Sequence, residues 1–379
     1  MTREWQTIPL GQLCSIKSGK SDTKDAVKDA EYAFFDRSRT VKKSTRYLYD
    51  CEALIIPGEG TEFLPRHFIG KFDLHQRAYA LFDFSNRIDV RFLYNFLHHK
   101  SDYFPQVAVG ATVKSLRLRH FEQLPVSLTT IPEQKRIVGI LDEAFDGIAT
   151  AKANADKNLR NARALFESHL QSVFTQRGEG WVERRLGDMA TFRNGINFTK
   201  SSRGDSVKIV GVKDFQNNFW APLDNLQSVV TDGKLPDSDM LKESDLLFVR
   251  SNGNMQLIGR CLLVGAVAEK ITHSGFTIRA RLNGSGLSPK YLSHFLKSNN
   301  AKREMIDSGI GTNIKSLNQV TLSALVIPFP SPAEQACVVD QLEALNVETQ
   351  HLESTYLRKL AAFDELKKSL LHQAFTGNL

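Results

Sequence analysis

Two kinds of side chain in this 379-residue sequence have types and spacings that suggest chemistry: a dense run of cations, and scattered acids, histidines and cysteines that imitate catalytic motifs. Arg37, Arg39, Lys42, Lys43 and Arg46 fall within ten residues, with no acid after Asp36. Such a run suits contact with a polyanion, and the net charge of +7 has the same sign. The catalytic imitations fail one by one. Gly19-Lys20-Ser21 ends like a phosphate-binding loop, but Cys14 stands where that motif needs its first glycine. Gly58-Glu-Gly60 and Gly309-Ile-Gly311 lack the third glycine and acidic partner of a dinucleotide site. Glu365-Leu-Lys367 has a nuclease-like spacing without a nearby second acid for a metal. His98 and His99 are adjacent in a helical pattern, where neighbours point about 100° apart. Cys14, Cys51, Cys261 and Cys337 form no CxxC pair, which argues against zinc and against a disulfide framework. His75 and His273 precede similar apolar runs and read as turn residues with a possible base contact.

The elements that must carry these residues are written twice. Trp5, Leu10, Gly11 and Gly19 recur as Trp181, Leu186, Gly187 and Gly195, each 176 positions on. Gly110-Ala-Thr-Val-Lys-Ser-Leu116 returns as Gly311-Thr-Asn-Ile-Lys-Ser-Leu317, now 201 positions on, and Glu133-Gln134 returns as Glu334-Gln335 at the same offset. Leu124 and Val126 likewise meet Leu325 and Ile327. The second copy therefore has longer loops between matching ends. Within each copy, short apolar runs between Gly, Asn and Asp turns predict strands, with one helix near Arg91 to His99 and its counterpart near Pro289 to Ser298. At 41% hydrophobic residues the chain has enough apolar material for real cores, and its length suits two domains.

Each copy ends in a different pattern. Ile137, Leu141, Ala144, Ile148, Ala151, Ala155, Leu159, Ala162, Leu165, His169 and Val173 recur at steps of three and four. Val338, Leu342, Leu345, Thr349, Leu352, Tyr356, Leu360, Phe363, Leu366, Leu370 and Ala374 repeat every position 201 residues later. Both stripes predict long helices with a coiled-coil seam, and both share the same pair of consecutive four-residue steps. Only residues 176–180 separate the first helix from the second copy, so the second helix can pair with the first only by running back along it. About 40 helical residues make a strut of about 60 Å. The expected fold is α+β: two tandem mixed α/β domains, residues 1–132 and 179–331, joined by two long antiparallel coiled-coil helices, residues 133–178 and 332–379, with pseudo-two-fold symmetry.

With repeats and helices together, the chain resembles the specificity subunits of type I restriction-modification systems over essentially its full length. The residues that carry the resemblance are Gly311 to Leu317, Ile327-Pro-Phe-Pro-Ser-Pro-Ala-Glu-Gln335, and Leu370-Leu-His-Gln-Ala-Phe-Thr-Gly-Asn-Leu379. Weaker forms, Ile131-Pro-Glu-Gln134 and Val173-Phe-Thr175, stand in the first half, where the proline-rich run is missing. The resemblance implies two target-recognition domains on a split, asymmetric site in double-stranded DNA. It also implies a non-catalytic chain docking two adenine-N6 methyltransferase subunits and restriction subunits. S-adenosylmethionine and ATP would belong to those partners, so no cofactor is expected here. The Asn/Asp-Pro-Pro-aromatic signature of amino-methyltransferases is likewise absent from the sequence.

On this reading Lys and Arg hold phosphates, while Arg, Asn and Gln read base edges. The first domain offers Arg37, Arg39, Lys42, Lys43 and Arg46. The second offers Lys200, Arg203, Lys213, Asn217, Asn218, Arg250, Asn252 and Asn254 in Gly- and Asn-rich turns. Lys114 and Lys315 occupy the same place in the repeated Gly-x-x-x-Lys-Ser-Leu and suit a phosphate contact common to both domains. No stretch nears the roughly 20 apolar residues of a membrane helix, and Met1 to Leu10 lacks a secretory core, so a cytoplasmic protein without a membrane partner is expected. Two other classes fit parts of the sequence: a self-sufficient DNA methyltransferase or nuclease, and a coiled-coil scaffold that binds protein alone.

Overall fold

A computed structural model of the chain describes residues 5–176, 178–199, 201–216, 218–284, 286–307 and 316–379. Lys200, Asn217 and Lys315, and with them most of the second Gly-x-x-x-Lys-Ser-Leu, lie outside the described residues. The chain divides into two units, one made of Met1–Lys157 with Tyr356–Leu379, the other of Asn158–Thr355.

The first unit opens with β1 (Gln6–Pro9) and β2 (Ser15–Ser18), then β3 (Tyr32–Phe35), β4 (Lys42–Ser44), β5 (Tyr49–Pro57), β6 (Arg66–Leu74) and β7 (Ala78–Phe82). Helices α1 (Val90–His99), α2 (Tyr103–Val107) and α3 (Leu118–Glu122), strand β8 (Pro125–Leu128) and the start of α4 (Ile131–Thr175) follow. Six strands form one sheet in the order β2-β7-β5-β6-β3-β4, antiparallel except for the β3–β6 pair. The last five residues of β5 are buried in succession, because this central strand is covered on both faces. On one face Leu54, Ile56 and Leu81 meet Phe92, Leu93 and Phe96 of α1. On the other, Ile55, Phe72, Leu74 and Phe82 form a smaller aromatic cluster. β1 pairs separately with β8, placing Ile8 opposite Val126.

The second unit repeats this order with β9 (Val182–Arg185), β10 (Ala190–Asn194), β11 (Ser206–Val210), β12 (Gln227–Val230), β13 (Leu246–Val249), β14 (Cys261–Leu263), β15 (Ile271–His273) and β16 (Thr277–Leu282). Helices α5 (Pro289–Lys297), α6 (Asn299–Asp307) and α7 (Gln319–Ala324), strand β17 (Val326–Phe329) and the start of α8 (Pro332–Phe375) complete it. Here the long sheet is divided into β10-β16-β13-β14 and β12-β11-β15. The single β6 of the first unit has become β14 and β15: β14 keeps the antiparallel partner β13, and β15 keeps the parallel partner β11. The sequence anchors sit where their repetition implies, since Leu10 N–H donates to Leu124 O at 2.9 Å and Leu186 N–H to Leu325 O at 2.8 Å.

Each unit also holds the start of one long helix and the end of the other, running antiparallel. In the first unit Lys152 pairs with Asp364 at 2.6 Å and the Lys367 ammonium lies 4.7 Å over the Phe145 ring, while Arg136 donates to Leu379 O at 2.7 Å. In the second, Arg163 pairs with Glu353 at 2.9 Å, and Leu170 and Phe174 share a core with Val339 and Leu342. The seam departs from the expected stripe at Leu352, which is exposed, and again toward the helix ends. Leu165 and its repeat Leu366 are exposed, and the buried line continues instead through Leu170 and Phe174, and through Leu371 and Phe375. The last turns face a different neighbour: Phe174 packs edge-on against Tyr291 and Phe295 of α5, and Phe375 against Phe92 and Phe96 of α1.

The repeated Glu-Gln is a joint between helix and domain. Gln134 is fully buried; its Oε1 accepts from Asp89 N–H at 2.8 Å and its Nε2 donates to the carbonyls of Arg87 and Thr129. Gln335 is buried equally, accepting from Ser288 N–H at 2.7 Å and donating to the carbonyls of Gly286 and Pro330. A buried amide with every group paired fixes the loop entering α1 or α5 to the first turn of the long helix.

Candidate nucleic-acid interface

In the first unit the loops after β3, β5 and β6 and the 109–116 hairpin enclose a furrow of three adjoining clefts of about 880, 230 and 510 Å³. The largest is lined by Arg37, Arg39 and Lys114, so residues 75 positions apart in the expected set come together, with Arg66 beside them. Arg77 and Gln76 line both smaller clefts, and Arg117 the third. The hairpin is closed by Val109 and Ser115, whose backbones exchange hydrogen bonds at 2.9 and 2.8 Å, with Lys114 exposed beside its tip. Three acids, Asp22, Glu59 and Glu62, stand among these cations. Glu62 holds the Arg39 guanidinium through a two-pronged pair, and Glu59 holds that of Arg77.

The rest of the cation run has other duties. Lys42 pairs with Asp36 at 2.6 Å. Burial of Asp36 opposes its ionisation, but the bonds from Lys42 and Ser38 prevail and hold its carboxyl below the ordinary range. Arg46 is clamped to Asp25 at 3.1 Å and to the buried Asp73 at 3.4 Å, and donates to Ser21 Oγ at 2.9 Å. Arg37 and Lys43 are exposed. The run is thus less dense in free charge than its sequence suggests, because acids fold onto three of its five members, Arg39, Lys42 and Arg46.

In the second unit Arg203 and Lys213 are exposed. Asn218 lines a cavity of about 340 Å³ with Gln256, Arg260, Lys297 and Lys302; its Nδ2 donates to Asp214 O at 3.1 Å. Arg250 directly follows β13 and is half-buried. Asn252 and Asn254 spend their side-chain oxygens on the turn, accepting from the N–H groups of Asn254 at 2.8 Å and Gln256 at 3.0 Å.

The other chemistry-bearing residues are absorbed into the scaffold. A Cβ on Gly19 would lie 1.8 Å from Leu74 O, and one on Gly195 2.2 Å from Ser274 O, so the repeated glycine permits a close backbone crossing in each unit. Glu365 pairs with Lys368 one turn on along α8. His273 is buried and its Nδ1 lies 2.9 Å from Thr277 Oγ1; burial, and then Arg279, Arg193 and Arg281, push its pKa down to about 3. Its resemblance to His75 is off by one residue: His75 N–H bonds to Phe35 O as Ser274 N–H bonds to Val210 O, which makes Leu74 the counterpart of His273. His75 itself is half-exposed on the furrow. Burial, then Lys367, lowers His98 to about 4, and burial, Lys100 and His372 lower His99 to about 4. All four cysteines are free, and among the described residues no group of three His, Cys, Asp or Glu is placed to hold a metal.

Arg66, Arg77 and Arg117 escaped the sequence reading. Each is a cation outside the dense run, and the one local signal was the Gly58-Glu59-Gly60 turn that faces them across the furrow.

The arrangement has known relatives. The sequence profile of the type I restriction modification DNA specificity domain matches residues 2–158 and 178–361. The EcoDI specificity subunit of Escherichia coli, from a type I restriction enzyme, is 22% identical over 99% of this chain and 89% of its own length. The StySPI specificity subunit of Salmonella potsdam is 23% identical over 98% and 82%. Among solved structures, a chain from an assembled type I R-M system aligns with a TM-score of 0.73 at 14% identity, covering 99% of this chain and 98% of that one. The HsdS subunit of Thermoanaerobacter tengcongensis aligns at 0.58 and 14%, covering 99% and 97%.

Proposed function

This chain belongs to the type I restriction modification DNA specificity family, and from that premise we propose that each of its two units reads one half of a split, asymmetric site in double-stranded DNA. The chain is the DNA sequence-specificity subunit of a type I restriction-modification enzyme and is itself non-catalytic. The observation that carries the two-reader proposal is the repetition itself: one scaffold built twice, with the same joints and crossings but different side chains at its loop tips. Two similar scaffolds with different tips serve to recognise two different short sequences. In the first unit Arg37, Arg39 and Lys114 take phosphates along the furrow, and Arg203, Lys213 and Arg250 do so in the second.

The chain assembles with methyltransferase and restriction subunits. Two copies of the methyltransferase subunit suit a chain whose long helices are themselves repeated. Leu165, Val347 and Leu352 in the second unit, and Leu357 and Leu366 in the first, are exposed apolar side chains on the long helices that a partner would cover. S-adenosylmethionine and ATP belong to those partners. No helix among the described residues is long and apolar enough to cross a membrane, and the site of action we infer is the cytoplasm, where the DNA is.

The test is sequencing of N6-methyladenine in a host without other methylation, expressing the methyltransferase subunit with and without this chain. A split asymmetric motif that needs both supports the reading, and exchange of residues 179–331 for those of a relative then changes one half-site alone. Methylation by the partner alone, or none despite a stable complex, sinks it.

A further inference from the structure

Backbone hydrogen bonds identify the same two tip positions in both units. In the first, Gly58 N–H donates to Arg77 O at 2.8 Å, and Leu116 N–H to Gly58 O at 2.8 Å. In the second, Arg250 N–H donates to Phe276 O at 2.8 Å, and Leu317 N–H to Arg250 O at 2.9 Å. Arg77 and Phe276 therefore occupy one structural position, fixed by the same bonds, and their chemistries are unrelated. The side chain of Arg77 is 60% exposed; Phe276 is 60% exposed as well. Neither is needed to fill a core, so the position is free to differ between units while its backbone is not.

Arg77 does not wave freely. Its guanidinium is paired with the carboxylate of Glu59, which is only 10% exposed. Glu59 is in turn immobilised, since its backbone bridges Ser115, while its neighbours Gly58 and Gly60 donate to Arg77 O and to Lys114 O at 2.8 and 3.0 Å. A carboxylate on a rigid tip thus orients the guanidinium plane at the edge of the two smaller clefts. An oriented guanidinium presents two parallel donors, the pattern that matches O6 and N7 of guanine in the major groove, and less rotamer freedom is lost when it binds.

We propose that Arg77, oriented by Glu59, is the residue through which the first unit reads a guanine, and that Phe276 removes this preference at the equivalent position of the second unit. The assignment rests on the reading of the chain as a DNA specificity subunit. The experiment is the same methylation mapping, with the full chain and its methyltransferase subunit, in wild type, Arg77→Ala, Arg77→Lys and Glu59→Gln. Arg77→Ala is expected to relax one guanine of one half-site, with about 5- to 150-fold of its discrimination lost. The other half-site stays intact and reports that the protein is folded and assembled. Arg77→Lys keeps a cation for phosphate but loses the fork, and relaxes the same guanine; Glu59→Gln relaxes it to a smaller degree. Retention of every base preference in Arg77→Ala overturns the proposal, as does relaxation at a base other than guanine or in the second unit's half-site. Full discrimination by Arg77→Lys also overturns it, because a point charge would then suffice; should Arg77→Ala methylate nothing, Arg77→Lys decides by the same criterion. A wild-type chain that yields no split motif overturns the proposal together with its premise, and is distinguished by failing before any substitution is made.

Discussion

The two units are most alike where they are least exposed. Gln134 and Gln335 make the same three hydrogen bonds, Gly19 and Gly195 permit the same backbone crossing, and Phe174 and Phe375 seat the end of a long helix on the same face of a short one. They differ where backbone is pinned but side chains face water, at Arg77 against Phe276. They also differ in sheet continuity, since the second unit divides one strand into β14 and β15 and accommodates longer connections around them. The lesson is that the joints between helix and domain are common property, whereas the exposed tips that a ligand would meet are free to diverge.

The largest effect is expected from breaking the common part. Phe174 and Phe375 are both buried; Phe174 meets two rings of α5, and Phe375 meets three of α1, those of Phe92, Phe96 and His99. Truncating either to alanine removes a core ring at a cost of about 3–5 kcal/mol. Calorimetry of Phe174→Ala and Phe375→Ala should find comparable losses. A marginal loss for Phe375→Ala beside a full loss for Phe174→Ala would mean that the C-terminal segment is not an integral part of the first unit, and the equivalence would fall.

A smaller effect sharpens the contrast. The second unit buries His273 where the first has Leu74, both fully within their cores. The folded pKa of His273, about 3, lies below the ordinary value of 6.5, so on acidification the unfolded chain takes up its proton first. The associated stability is complete above pH 6.5 and is lost progressively as pH falls toward 3. At pH 5 the loss is about 2 kcal/mol. His273→Leu, which copies the first unit, should therefore lose less stability between pH 7 and pH 5 than wild type by about that amount, as read from urea midpoints at the two pH values. Identical pH dependence in the two proteins would show that His273 is not held neutral by its surroundings.

How much of this was legible in the sequence follows from how each feature is encoded. The duplication, the long helices and the Glu-Gln joints repeat at fixed offsets, so alignment of the chain with itself exposes them. The turn of the seam away from Leu165 and Leu366 was hidden, because heptad spacing describes one partner and the helix ends have another. The one-residue slip between His75 and His273 is invisible without backbone bonds. Charge density misled in both directions: Lys42 and Arg46 are tied to Asp36, Asp25 and Asp73, whereas Arg77 meets a partner 18 residues away that no local pattern signals.

The smallest expected effect separates phosphate contact from base reading within the first unit. Lys114 is exposed beside a hairpin tip on the largest cleft, across from Arg37 and Arg39, and it belongs to the segment that both copies share. A contact common to both units carries no sequence information, so its loss should weaken binding evenly. Lys114→Ala is expected to lower the slope of log affinity against log salt by about 1, through one fewer counterion released, for duplexes with and without the recognition site alike. Titration of both duplexes by fluorescence anisotropy over a range of salt checks this. A slope change confined to the specific duplex would place Lys114 with the base readers rather than the phosphate clamps, and would move the line between shared and divergent parts of the two units.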